Sequence, residues 1–272
     1  MTDSVADASL PSLDPSALLA GELTPNKLDA FKNAVFHTVD RLDDLRMWLS
    51  SPMAKGTARG VALWALGRHQ EALPLLQSDK ANPVVALCLA SSHAALGNLD
   101  EVVKLLQKRE SDAAQALAWL RALDTVGDGE RLAAELPKVQ SLLGANDRKY
   151  FEGRGRELHR DAEAAIACYD AVLAEDPNHK QALFRLAVNV DLRGEDEEAR
   201  ELYERALMAP PVNVSCVVNL GILYEDMGNY RRAMQCFDLA LQANPDNARA
   251  RLFRRDAAAA LNMYYDEDQE RR

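Results

Sequence analysis

The chain has 272 residues, 48% of them hydrophobic, with 32 Lys and Arg against 42 Asp and Glu and a formal net charge of −10. That balance disfavours bulk attraction to nucleic acid or to an anionic membrane, while the apolar fraction suffices for ordinary burial. Abundant Ala, Leu, Glu and Arg favour helix, and no segment shows the alternation and turn chemistry of a strand.

Residues 1–24 are expected to form a mobile acidic tail. One short helix is expected after Asp14-Pro15, where Asp can cap and Pro can take the first helical position. Residues 1–10 carry acidic side chains and no basic region ahead of an apolar core, which argues against a secretory signal. No apolar run approaches the roughly 18 residues a spanning helix needs. The expected location is the cytoplasm, without membrane contact.

Thr24-Pro25 opens a stronger helix signal. Leu28, Phe31, Val35, Val39, Leu42, Leu45 and Leu49 keep a three-four rhythm up to Ser51-Pro52, which predicts one amphipathic helix over 25–51. Two uses fit it: packing on the first repeat as an N-terminal cap, or pairing with a second copy in a homodimer. The spacing is close to that of a coiled-coil seam, which Thr38 interrupts.

Residues 53–145 read as three degenerate helical hairpins. Gly67, Gly97 and Gly127 hold the turns; Ala72 and Leu76 in the first, and Val102 and Leu106 in the second, take second-helix packing positions. The first two copies are shorter than the later ones, so their second helices should lose about one turn and the array should curve differently there. Pro137 predicts a kink or a late start in the third.

Over 146–247 the chain repeats itself with a fixed step of 34 residues. Ala165 recurs as Ala199 and Ala233, Tyr169 as Tyr203 and then Phe237, Val172 as Ala206 and Ala240, Pro177 as Pro211 and Pro245, and Gly194 as Gly228. Three units follow, 146–179, 180–213 and 214–247; the first has a poor first helix and a clean second one, Ala162–Glu175. In the last unit Val217, Leu220, Gly221 and Tyr224 share one face of a first helix. Gly228 permits the positive φ of a sharp turn, and Ala233, Phe237, Ala240 and Leu241 then share one face of a second helix that Pro245 stops. One such hairpin cannot bury its apolar surface alone, so neighbours must stack on it.

Residues 248–272 begin like another first helix, but Arg251, Arg254 and Arg255 stand where Val217, Leu220 and Gly221 would recur. Arginine is not buried without a partner for its charge. The opposite face, Ala250, Phe253, Ala257, Ala260, Leu261 and Tyr264, can pack back on the preceding unit, which makes this a C-terminal capping helix. Its charged end, 266–272, has no stop signal and reads either as frayed or as cut before a further domain.

At Leu220-Gly221, Tyr224, Gly228, Tyr230, Ala233, Phe237, Ala240 and Pro245 the chain resembles the tetratricopeptide repeat family. The resemblance implies an all-α fold, a right-handed superhelix of about six helix-turn-helix repeats between the N-terminal amphipathic helix and the C-terminal cap. In that family the first helices line a concave groove that holds a peptide. The implied groove residues are Tyr150, Arg154, Phe184, Arg185, Val188, Asn219, Ile222 and Arg249, with Arg154, Arg185, Asn219 and Arg249 in a row. A guanidinium offers a forked donor to carboxylate or backbone oxygen, and Asn can bond a peptide amide from both sides. Read from the residues alone, the arginines can equally pair with Glu157, Asp191 or Glu225 and keep the surface soluble. Some members grip a chaperone's C-terminal carboxylate with Lys and Asn; here Tyr150 and Arg154 stand in two of those positions and Arg185 replaces an Asn, so the pattern is broken. The stretch 262–272 resembles the junction in bacterial members that continue into a domain similar to the C-terminal domain of the RNA polymerase α chain.

Catalytic signals are missing. His37, His69, His93, His159 and His179 show no metal-ligand spacing, and Cys88, Cys168, Cys216 and Cys236 contain no CxxC pair. Cys168 and Cys236 hold the same position of two repeats, as packing residues would. No phosphate loop, nucleophile elbow or dinucleotide fingerprint occurs. The expected function is a non-catalytic scaffold that binds a peptide segment of a partner protein, with no cofactor, no metal and no direct nucleic-acid contact. The alternative is the repeat portion of a transcription-associated protein whose polymerase-like domain follows residue 272.

Overall fold

The computed structural model describes residues 13–19, 24–37, 39–208 and 213–270. Among them every regular element is helical. The chain divides into two compact units, Met1–Ala171 and Val172–Arg272.

In the first unit, α1 (Pro15–Leu19) starts as its sequence predicts, with Asp14 Oδ1 accepting from the Ser16 N–H at 2.8 Å. The expected tail over 1–12 lies outside the described residues. The single helix expected over 25–51 is two: α2 (Pro25–Val35), capped by Thr24 Oγ1 at 3.3 Å from the Lys27 nitrogen, and α3 (Val39–Leu49). Phe36 closes α2 with its N–H turned back to Ala34 and Lys32 carbonyls. Arg41 Nε then donates to Ala34 O at 3.0 Å, taking a carbonyl that a continuing helix would have used. Each piece keeps a buried stripe: Leu28, Phe31, Ala34 and Val35 on one, Leu42, Leu45 and Leu49 on the other. Both stripes are covered within this unit, so they serve as intramolecular packing.

Four helix pairs follow. They are α4 (Gly56–Ala65) with α5 (His69–Leu76), α6 (Pro83–Ala95) with α7 (Leu99–Leu105), α8 (Ala113–Val126) with α9 (Gly129–Val139), and α10 (Ala145–Leu158) with α11 (Ala162–Glu175). Gly67, Gly97 and Gly127 make the first three turns at φ between 73° and 78°, a conformation costly for any residue with a Cβ. The fourth turn has no glycine, and Arg160 takes the same left-handed place at φ 63°.

Pro137 does not delay the start of α9, which begins at Gly129 directly after its cap Asp128. It sits two residues before the helix terminus, and the chain passes directly into a 3-10 turn at Gln140–Leu142. Pro137 lacks the N–H that would donate to the Ala133 carbonyl, and the helix runs only two residues beyond it before the turn. The first helix of the 146–179 repeat, weak by local pattern, is a full 14-residue helix. Tertiary packing makes it so: Phe151 is buried, and Gly153 lets the Tyr169 ring approach so closely that a Cβ would meet its Cε1 at 2.8 Å.

The second unit continues the pattern with α12 (Lys180–Asp191) and α13 (Asp196–Leu207), α14 (Val214–Asp226) and α15 (Tyr230–Ala243), then α16 (Ala248–Glu270). Helices α13 and α15 have 12 and 14 residues against 8 and 7 in α5 and α7, so the early pairs are more than a turn shorter. Asn213, Asn229 and Asn247 side chains accept from backbone N–H groups and start α14, α15 and α16. The recurring small and aromatic residues meet inside each pair: Ala199, Tyr203 and Ala206, then Ala233, Phe237 and Ala240, are all buried. At Gly221 an added Cβ would stand 2.6 Å from Phe237 Cε1, which explains the missing side chain. Helix α16 packs on α15 through Phe253, whose ring stacks on Phe237 at 6.1 Å, and through buried Ala250 and Ala257. Its arginines stay outside: Arg251 pairs with Asp246 and Arg254 with Asp238.

Candidate functional site

One position of the first helices organises the polar chemistry. Three residues before each turn residue stand Asp124, Glu157, Asp191 and Glu225, in four consecutive pairs. Tyr169 OH donates to Glu157 Oε2 at 2.6 Å, and Tyr203 OH, 34 residues on, donates to Asp191 Oδ2 at 2.9 Å. The third member of that series is Phe237, which has no hydroxyl. Accordingly Glu225 Oε2 is buried without a hydrogen-bond partner among the described residues.

Burial raises the Glu225 carboxyl above its ordinary value, and Asp256 and Asp226 add repulsion. Asp191 is raised too, first by burial and then by Asp196 and Asp226, against the opposing pull of the Tyr203 phenol. The Tyr169 and Tyr203 phenols rise because they are buried against the carboxylates they serve, and hold their protons as donors.

Two of the eight expected groove residues are inside the first unit rather than on a surface. Arg154 is 3% exposed. Its guanidinium bonds Asp124 Oδ1 at 2.6 Å and Glu157 Oε2 at 2.7 Å. Burial works against the charge, but Asp124 and Glu157 outweigh it and hold the group above its ordinary value. Tyr150 is buried beside it, its OH 3.5 Å from Asp124 Oδ2 and its ring edge-on to Phe151. Both are structural members of a buried ion cluster, and the alternative pairing with Glu157 is the one Arg154 adopts.

The other six lie in the second unit and are half-buried or exposed: Phe184, Arg185, Val188, Asn219 and Ile222 half-buried, Arg249 exposed. The Arg185 guanidinium lies 5.4 Å from the Phe184 ring, and that ring is 6.2 Å from Tyr203. Arg249 Nη1 donates to Asn219 Oδ1 at 2.9 Å while its guanidinium stands 5.9 Å from the Phe253 ring. Asn219 also serves Tyr203. The result is a pair of arginines, Arg185 and Arg249, each ordered over an aromatic ring on the first-helix side of this unit.

The cysteines are free thiols. Burial pushes Cys88 and Cys216 up to about 12 and Cys236 to about 11, so none is an activated nucleophile. Among the described residues no group of His, Cys, Asp and Glu is arranged to hold a metal ion, and no helix is long and apolar enough to cross a membrane.

Successive helix pairs, the last three with the same small and aromatic contacts inside them, define a helical-repeat fold. Residues 153–213 and 218–247 match the tetratricopeptide repeat family. Over those residues the chain carries tetratricopeptide repeats. Its fold is that of a tetratricopeptide repeat protein from Parabacteroides merdae ATCC 43184, at 12% identity, a TM-score of 0.61, and coverage of 90% of this chain and 96% of that one. Cut9–Hcn1 of an APC/C hetero-tetramer shares the fold at 12% identity with a TM-score of 0.53, over 88% of this chain and 50% of that one. In sequence the chain is 33% identical over 137 residues to a probable UDP-N-acetylglucosamine–peptide N-acetylglucosaminyltransferase SPINDLY of Petunia hybrida, covering 50% of this chain and 15% of that protein. It is 30% identical over 105 residues to the photosystem I assembly protein Ycf3 of Prochlorococcus marinus (strain MIT 9215), covering 36% of this chain and 61% of that protein. The chain thus spans only part of the curated relatives it matches. Tetratricopeptide repeats are protein-interaction scaffolds, which is the class of function that the family carries.

Proposed function

We propose that the second unit holds a segment of a partner protein against the first-helix face that carries Phe184, Arg185, Val188, Asn219, Ile222 and Arg249. The protein then acts as a non-catalytic cytoplasmic scaffold. The observation that carries this reading is the prior ordering of two arginines: Arg249 is tied to Asn219 at 2.9 Å, and Arg185 lies over Phe184. Side chains ordered before binding lose little entropy on contact, and aromatic and arginine residues dominate interface energies. Tyr150 and Arg154 take no part, because both are buried in the first unit.

The test is affinity capture from a lysate with the unaltered chain and with Arg185→Glu, read by quantitative mass spectrometry, with circular dichroism on both. Loss of one specific partner at unchanged helicity supports the surface. Equal recovery of every captured protein removes it.

A further inference from the structure

In the second unit the first helices α12, α14 and α16 pack side by side. Two of them repeat one order of side chains along the face they share. Arg185, Val188 and Asp191 follow one another at steps of three on α12, and Asn219, Ile222 and Glu225 do the same on α14, 34 residues on. Asn219 accepts from Arg249 of α16 at 2.9 Å, so a guanidinium stands at this end of both rows. Each row therefore runs from a cation through an apolar residue to a carboxylate. With a rise of about 1.5 Å per residue, the two charged edges are about 9 Å apart along the helix axes.

The two edges are not neutralised by the chain itself. Asp226 repels both Asp191 and Glu225, and Asp256 adds to the negative charge at Glu225. Asp191 accepts from the neutral Tyr203 phenol, and Asp256 has Arg255 at 3.0 Å. Neither Glu225 nor Asp226 has a cation beside it among the described residues, and Glu225 Oε2 is buried without a donor. These carboxylates lie in the last turns of α12 and α14, where the helix ends add negative partial charge. At the opposite edge Arg249 has a neutral partner, Asn219, and no carboxylate among the described residues. Between the edges Val188 and Ile222 are half-buried.

We propose that the occupant of this face is an amphipathic helix whose apolar stripe is bordered by acidic residues on one side and by lysine or arginine on the other; this rests on the reading of the face as a binding surface. The acidic border meets Arg185 and Arg249, the apolar stripe meets Val188 and Ile222, and the basic border meets Glu225 and Asp226. A lysine there supplies the donor that Glu225 Oε2 lacks. A helix suits three parallel rows, because it presents three adjacent stripes across a width of about 10–12 Å. A strand, with side chains alternating to two sides, would set bare backbone against the apolar middle row. The unlike borders also fix the direction of the segment: turning the helix end for end exchanges its edges and brings like charges together.

The probes are three labelled peptides of about 15 residues that share one leucine stripe. The first has Glu along one border and Lys along the other, the second Glu along both, the third Lys along both. The hosts are the full chain and its Arg185→Glu, Arg249→Glu and Asp226→Lys variants, each checked for helicity; Arg249 and Asp226 are exposed, so their reversal leaves the fold intact. At about 0.15 M salt, which screens long-range attraction to the net charge, fluorescence anisotropy should show the mixed peptide binding the unaltered chain at least about tenfold more tightly than either uniform peptide. Arg249→Glu should move the preference toward the all-Lys peptide, and Asp226→Lys toward the all-Glu peptide. Equal affinities of the three peptides, binding by none, or a ranking that both reversals leave unchanged overturns the inference. If binding without a charge ranking is still lost in Arg185→Glu, the inference falls and the surface stands; binding that none of the three variants alters overturns both.

Discussion

The phenol of Tyr203 donates to Asp191 across the α12–α13 pair at 2.9 Å, and the same bond joins Tyr169 to Glu157 one repeat earlier. Each bond ties the end of a first helix to the middle of the second and gives a partly buried carboxylate a neutral donor. The α14–α15 pair keeps the carboxylate, Glu225, and loses the donor, because Phe237 stands in the tyrosine position.

Phe237→Tyr should restore the bond. A buried acceptor that gains a partner is stabilised by about 1 kcal/mol, so the urea midpoint of the second unit should rise. A fall in the midpoint would mean that the ring, pressed against Gly221, has no room for the hydroxyl.

Stability should also depend on pH through Glu225. Its folded value is raised above the ordinary 4.5, so the folded form binds the proton more tightly than the unfolded chain. As pH falls from neutrality through the raised value the second unit should become more stable, and the gain is complete below the unfolded value. Glu225→Gln should flatten this dependence and raise stability at neutral pH. The check is a set of denaturation curves for both proteins from neutral to mildly acidic pH, followed by a probe in the second unit; identical slopes contradict the assignment.

Arg154→Met should destabilise the first unit strongly. The guanidinium side chain is 4% exposed, and its removal leaves Asp124 and Glu157, at 16% and 17%, facing each other in a poorly solvated place. Removing one member of a buried ion cluster costs about 3 kcal/mol or more, whereas replacing every member can be nearly neutral. The combination Arg154→Met, Asp124→Asn and Glu157→Gln should therefore recover much of the loss in thermal denaturation.

Arg160→Gly should stabilise the α10–α11 turn. Arg160 adopts φ 63° where the equivalent turns use glycine. Relief of the left-handed strain exceeds the extra entropy of glycine in the unfolded chain, for a net gain of about 0.5–1 kcal/mol by chemical denaturation.

The repeat was legible because Ala, Tyr or Phe, Gly and Pro return at a fixed step, and packing between paired helices demands that return. The helix break between α2 and α3 was not, because the apolar rhythm runs through it and the competing contact is one Arg41 side chain on one carbonyl. Arg154 was misplaced for a related reason: in the register of the later repeats its position faces outward, and Asp124, on a different helix pair, together with Glu157 draws it inside. A signal was present. The carboxylates three residues before each turn, answered twelve residues later by Tyr169 and Tyr203, mark that position as part of a buried network.

The most direct test of the binding surface is site-specific photo-crosslinking in cells, with the photoreactive residue placed once at Ile222, on the first-helix face, and once at Gln235, exposed on α15. The account predicts a discrete protein adduct from Ile222 and none from Gln235. Equal adducts from both positions, or an adduct from Gln235 alone, would contradict it.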